Sequence, residues 1–166
     1  MAAANNDKKE VHIKLSIQVS LNGLSFCALD LPGKKIIFFK NLPFFKKLTP
    51  SETLGQIEKL YASEDFLQKE ISEVEVLFSN ELYCIVPKPL FIEENASDYL
   101  KFNTKILGTD FVSQDYLSEN ELVNVYIPYT NIINYFFDRY GEFQYRHCAS
   151  VLIEEFLRMN ADLQDR

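Results

Sequence analysis

LSIQVSLNGLSFCALDLPGKKIIFFK, Leu15–Lys40, is the stretch that decides the fold. Asn22-Gly23 is the favoured pair for a two-residue type I′ turn, whose central positions both need positive φ, and Pro32-Gly33 marks a second turn. The stretch therefore predicts a three-stranded antiparallel meander, with Leu21 facing Leu24, Val19 facing Phe26 and Ile17 facing Ala28. Alternation places Ile13, Leu15, Ile17, Val19, Leu21, Leu24, Phe26 and Ala28 on one face. Lys14, Ser16, Gln18, Ser20, Ser25 and Cys27 fall on the other. A one-residue slip would turn the apolar set outward, so the register is well specified. Ile36 to Phe39 is apolar on both faces, which predicts cover on both sides of the third strand. The polar strip of the first strand either lines a cleft or is a solvated sheet face.

Working outward, Met1 to Lys9 is polar and rich in Ala and Asn, and residues 1–10 are expected to be a disordered tail. After the meander, Thr49-Pro50-Ser51-Glu52 is the clearest helix start: Thr49 caps, Pro50 suits the first helical position and Glu52 completes a capping box. Leu54, Ile57, Leu60 and Tyr61 follow at helical spacing, and the helix is expected to end near Lys69. Val74–Phe78 and Leu82–Val86 read as a strand pair, stopped by Pro87 and Pro89. Leu90–Phe102 reads as a helix with a ragged start, and Phe111–Leu117 is either a short strand or an extended loop. Leu122–Ile127 is a strand ended by Pro128. Thr130 then caps a helix carrying Ile132, Ile133, Phe136, Phe137 and Tyr140, with Gly141 placed to end it. Phe143–Cys148 is a short extended piece, and Val151–Met159 a last helix whose stripe of Leu152, Ile153, Phe156 and Leu157 needs a partner surface. Meander first, then strands joined through helices, indicates a mixed sheet with helices packed on it. This is the order of the ribonuclease H-like arrangement, which actin-like ATPases use twice.

The bulk numbers agree with one α/β domain. Of 166 residues 47% are hydrophobic and 14% aromatic, ample for a core. A net charge of −7, with Lys46-Lys47 the best local basic cluster, argues against nucleic acid as the main partner. Cys27, Cys84 and Cys148 are odd in number and widely spaced, and with only His12 and His147 no metal site is spelled out. A reduced cytoplasm follows as the simplest compartment. No stretch approaches the roughly 20 apolar residues of a membrane span, so membrane insertion is not expected. Asn95-Ala96-Ser97 has the form of a glycosylation sequon, incidental without secretion.

Four segments carry a resemblance: SIQVSLNGLSF (16–26), KIIFFK (35–40), YLKFNTKIL (99–107) and VNVYIPYTNIINYFFD (123–138). They resemble the bacterial domain of unknown function 3822 family, found mainly in Bacteroidetes, and the resemblance runs from about Val11 to Met159. It implies an actin-like ATPase fold built from two ribonuclease H-like halves, of which this chain holds the first. Residues 11–141 would form that half, and residues 142–166 would be a short strand and helix leading toward a second. In active members of the wider superfamily the first hairpin holds an Asp-x-Gly phosphate loop, the Asp positioning Mg²⁺ and the Gly letting backbone N–H groups approach phosphate. The resemblance lays Gln18 on the Asp position and Ser20 on the Gly position. Neutral Gln is a poor ligand for a hard cation, and Ser20 adds a Cβ where close approach is wanted.

Gln18, Ser20, Asn22 and Gly23 are therefore a candidate degenerate phosphate loop. The expected role is a non-catalytic scaffold or interaction module without cofactor, with self-association through the last helix. The alternative is an ATPase binding ATP with Mg²⁺ through the altered loop. A nucleic-acid hydrolase is disfavoured, because two-metal chemistry needs clustered carboxylates that the first strand lacks. Glu93, Glu94 and Asp98 read as helix-start acids rather than an acid/base pair. Cys148 beside His147 is a poor nucleophile pair, since neighbours on a strand point oppositely. Cys27 and Cys84 read as small core residues. Lys101, Asn103 and Lys105 read as a solvated helix end, and Asn131, Asn134 and Asp138 as either a solvent-facing stripe or a contact surface.

Overall fold

The computed structural model describes residues 12–102, 105–106, 110–117, 119 and 121–164. The expected tail at 1–10 and the candidate Asn103 lie outside the described residues. Among the described residues, eight strands and four α-helices follow one another as β1 (Ile13–Ser20), β2 (Gly23–Asp30), β3 (Lys35–Pro43), α1 (Pro50–Ser63), β4 (Glu73–Phe78), β5 (Tyr83–Pro87), α2 (Ala96–Lys101), β6 (Ser113–Leu117), β7 (Leu122–Tyr126), α3 (Thr130–Tyr140), β8 (Gln144–His147) and α4 (Cys148–Gln164). They make a mixed five-stranded sheet in the order β3-β2-β1-β4-β8 and a three-stranded sheet in the order β5-β7-β6. β1–β2–β3 is the expected antiparallel meander, and β4 and β8 continue the sheet in parallel. β8 thus extends the larger sheet past residue 141.

The hairpin departs from its expected register. Ser20 pairs with Gly23, Val19 with Leu24, Ile17 with Phe26 and Leu15 with Ala28, so Leu21 and Asn22 are the two loop residues. Neither has positive φ, nor does Gly23, so the turn is not type I′. Gly23 serves a different need. A Cβ built there would sit 2.9 Å from the Leu42 carbonyl oxygen, so glycine is required by the close passage of β3. The pairing moved by two residues, and side chains alternate with period two. Hence Ile13, Leu15, Ile17, Val19, Leu24, Phe26 and Ala28 still share the buried face, each at most 5% exposed, while Leu21 sits half-buried in the loop. Full burial of one such Ile or Leu side chain stabilises by about 1.5–3 kcal/mol.

β3 also corrects its expectation. It is an edge strand of the larger sheet, and among the described residues no strand pairs with its outer side. A bulge between Ala28 and Leu29 leaves Ile37 without a partner. Phe38 stacks on Phe66 at 4.5 Å, but Ile36 and Phe39 are each 66% exposed. Cover on both sides is absent because the apolar run lies at an edge.

Helices α1 and α3 hold the apolar face of the meander. At Thr49 the capping box forms in full: its hydroxyl accepts from Glu52 N–H and its own N–H donates to Glu52 at 2.8 Å. Hydrogen bonds from Thr49 hold the Glu52 carboxyl below its usual range. Tyr61, buried in this core, is ringed by Phe26, Tyr135, Phe136 and Tyr140, with the Arg139 guanidinium 4.4 Å from its ring centre. α1 ends at Ser63, earlier than expected, and a 3₁₀ turn, Asp65–Gln68, follows. Tyr129, not Thr130, occupies the cap position of α3, and Gly141 ends that helix at φ 71°.

The expected pairing of the fourth and fifth strands does not occur. β4 runs between β1 and β8, whereas β5 crosses to the small sheet and pairs with β7. The small sheet, with α2, has its own core of Val86, Leu100, Val123, Val125 and Ile127. The stretch expected as a helix over 90–102 is two 3₁₀ turns followed by the short α2. Within the stretch 111–117, Ser113–Leu117 forms a strand, β6.

Candidate functional site

The hairpin tip faces a cleft of about 440 Å³ at the C-terminal ends of β1 and β4, lined in part by Ser20, Asn22, Lys47, Asn80, Glu81 and Tyr129. Segment 44–48 clamps the tip from one side: Phe44 N–H donates to the Asn22 carbonyl and Leu48 N–H to the Leu21 carbonyl, both at 2.8 Å. Within the turn, Ser20 Oγ accepts from Asn22 N–H at 3.2 Å and donates to the Gly23 carbonyl at 3.0 Å. On the far side, the Asn80 amide donates to Ile127 O and accepts from Leu82 N–H, both at 2.9 Å, fixing the crossing from β4 to β5. Burial pushes the Tyr129 hydroxyl up to about 12.

Of the four candidate loop residues, Ser20 and Asn22 line the cleft. Gln18 is exposed on β1, opposite Ser25 and Leu77, and Gly23 packs beneath Leu42. Among the described lining residues Glu81 is the one carboxylate and Lys47 the one cation, both exposed. A neutral side chain at Gln18 and a lone exposed carboxylate do not fit Mg²⁺-nucleotide, which asks for anionic oxygens and clustered N–H donors. Among the described residues no group of three or more His, Cys, Asp or Glu is arranged to hold a metal ion.

A second polar constellation escaped the sequence. Asp115, buried on β6, accepts from Tyr126 OH at 3.2 Å, from His147 N–H at 2.8 Å and from Ser150 OH at 2.5 Å. Asn124 donates to Ser150 Oγ at 2.8 Å. These contacts join the small sheet to the end of β8 and the start of α4. The His147 ring lies 4.5 Å from Tyr83 and 5.3 Å from Tyr126. Its Nδ1 accepts from Ala149 N–H and its Nε2 faces the Asn80 carbonyl, so the neutral Nε2–H tautomer satisfies both. Burial lowers the His147 pKa against the raising pull of Asn80 and Asp115. Burial likewise drives Tyr126 up, with Asp115 adding to it, and raises Cys148. Both ring nitrogens of His147 are engaged away from Cys148, so no Cys–His pair forms.

The other candidates separate. Asp98 pairs with Lys101 at 2.5 Å, whereas Glu93 accepts from Gln114 at 2.9 Å. Asn131 donates to Pro50 O at 3.0 Å, tying α3 to the start of α1, while Asn134 and Asp138 are exposed. Lys105 is exposed, and Cys27 and Cys84 are half-buried free thiols.

Residues 3–165 match the family model described as Protein of unknown function (DUF3822). The chain belongs to this family. This DUF3822 chain is also similar to a solved protein of unknown function from Bacteroides thetaiotaomicron with an actin-like ATPase fold. The two are 20% identical with a TM-score of 0.78, over 89% of this chain and 56% of that one. The likeness shows the fold, and the DUF3822 chain spans little more than half of that relative's length. A second solved structure is the cytoplasmic domain of EpsL, an inner membrane component of the type II secretion system of Vibrio cholerae. It matches at 12% identity and a TM-score of 0.42, over 81% of this chain and 55% of that one, too distant to carry an argument. Comparison with curated proteins finds no match. No described helix is long and apolar enough to cross a membrane.

Proposed function

We propose that this chain is a catalytically silent actin-like ATPase-fold domain that serves as an interaction module or scaffold. The observation that carries the reading is the hairpin tip: Asn22 N–H is held by Ser20 Oγ inside its own turn, where a phosphate loop would offer its N–H groups outward. Gln18, on the position of the metal-binding Asp, supplies no charge. Calorimetry of the longest natural form with ATP and Mg²⁺ tests this. No binding heat and no phosphate release are expected, and micromolar binding with hydrolysis overturns it.

The second reading is an ATPase with an altered loop, favoured by the cleft of about 440 Å³ and by Lys47 beside the hairpin. It requires Gln18→Ala or Asn22→Ala to weaken nucleotide binding while the fold survives.

On either reading we propose that residues 142–166 lead toward a second half in longer forms, as the 56% coverage of the Bacteroides relative supports. In α4, Leu152, Phe156 and Met159 are 68%, 69% and 59% exposed at helical spacing. This stripe meets that second half, or a second copy where the half is missing. Light scattering on this chain is expected to show a dimer that Phe156→Asp dissociates. A monomer at high concentration refutes the self-association.

A further inference from the structure

We infer that the free edge of β3 is a docking site for an acidic, extended peptide of a partner protein, which adds to the larger sheet as a sixth strand. The inference rests on the reading of the chain as an interaction module and names the partner's chemistry at a second surface, the outer edge of β3, which borders the hairpin cleft only at Lys47.

Charge comes first. Between Asp30 and Glu52 the chain carries five lysines and no acidic residue, within a net charge of −7, so everything else carries −12. Lys40 is answered by Glu64 at 2.6 Å. Lys34 and Lys35 stand at one end of the edge, and Lys46 and Lys47 lie beyond the other. This is a basic border on an otherwise acidic molecule, and it selects an anionic occupant.

Between the lysines the edge is apolar and uncovered. Ile36 and Phe39 are each 66% exposed and Ile37 is 42% exposed. An edge strand also presents a row of backbone N–H and C=O groups that an added strand pairs directly, whereas lipid would leave them unpaired. The β3 lysines that would repel a second copy of this edge attract an acidic strand. On the helix side, an open cleft of about 800 Å³ is lined in part by Ile37, Phe66 and Ile71, with Lys69 and the Glu70 carboxylate both on its wall. It lies where an apolar side chain of the added strand would descend, and Lys69 Nζ, 5.0 Å from the Phe66 ring centre, leaves a cation at its rim.

Fluorescence anisotropy on the full chain, using a fluorescein-labelled peptide that alternates Val and Phe with Asp and Glu, tests the assignment. Saturable binding that weakens with salt is expected, together with slowed amide exchange along 35–43. Phe39→Asp, and separately Lys34→Glu with Lys35→Glu, should each weaken binding by about tenfold or more. These side chains lie at the surface, and the lysine variant carries the test should Phe39→Asp unfold. Lack of saturable binding overturns the inference. So does equal binding of a proline-interrupted peptide of the same charge, which cannot pair with the edge. Binding of phosphatidylserine vesicles through these residues in place of the peptide, or a dimer broken by Phe39→Asp, would assign the edge to lipid or to a second copy and also overturns it. Failure here leaves the reading of the hairpin cleft standing, while ATP hydrolysis would remove that reading without touching the edge.

Discussion

The hairpin tip and the Asp115 junction are both polar, and they are built on opposite terms. At the tip, Ser20, Asn22 and Gly23 bond to one another within three residues and sit at the surface. At the junction, Asp115 gathers donors from 11, 32 and 35 residues away, in a buried setting. A local, solvated hydrogen bond exchanges easily with water, whereas a buried carboxylate that loses its role strands several donors at once. The tip shapes a surface, and the junction holds two sheets together.

Substitutions should widen that contrast. Asp115→Ala leaves the His147 N–H and the Ser150 and Tyr126 hydroxyls without their acceptor, and should cost about 3 kcal/mol in urea unfolding. Gly23→Ala forces a Cβ against the Leu42 carbonyl at 2.9 Å, and about 2 kcal/mol is expected by the same measurement. Of these two regions, acid acts at the junction. Because burial depresses the His147 pKa in the folded state, its contribution is complete above the unfolded value near 6.5 and is lost as the pH falls from there through the lower folded value. Unfolding followed between pH 7.5 and 5 should show this decline, and His147→Gln should flatten it. Ser20→Ala should have the smallest effect, about 0.5 kcal/mol, since water replaces the lost bonds.

The same division explains what the sequence disclosed. The capping box at Thr49–Glu52 and the alternation of β1 and β2 are local patterns, and both were legible. The alternation survived an error in the turn because a two-residue shift preserves which side chains point inward. Gly23 looked like a turn residue, but its reason lies in β3, at the Leu42 carbonyl nineteen residues onward. Ile36 to Phe39 carried no mark separating an edge from a buried strand, since apolar content alone does not record which neighbour is missing. The β4–β5 pair failed for a related cause: two adjacent runs of strand-forming residues say nothing about which sheet each joins. Asp115 gave no signal because its donors are distributed over three elements. Ser20 and Asn22 could be placed at the hairpin from sequence, but the cleft wall formed by Asn80 and Tyr129 could not.

The departure of β5 from the larger sheet has a kinetic consequence. β4 and β8 pair at a separation of 69 residues, as Glu75 with Gln144 shows, so the last strand cannot dock until the intervening chain has been gathered. Closing so long a flexible loop is slow and entropically costly. The small sheet removes most of that length if it forms first on its own core, since only four residues separate β6 from β7 in the chain. The insert would then act as a folding clasp, shortening the path for the strand that completes its host. Pulse-labelled exchange should find β6 and β7 protected before β8, and simultaneous protection would argue against such an order.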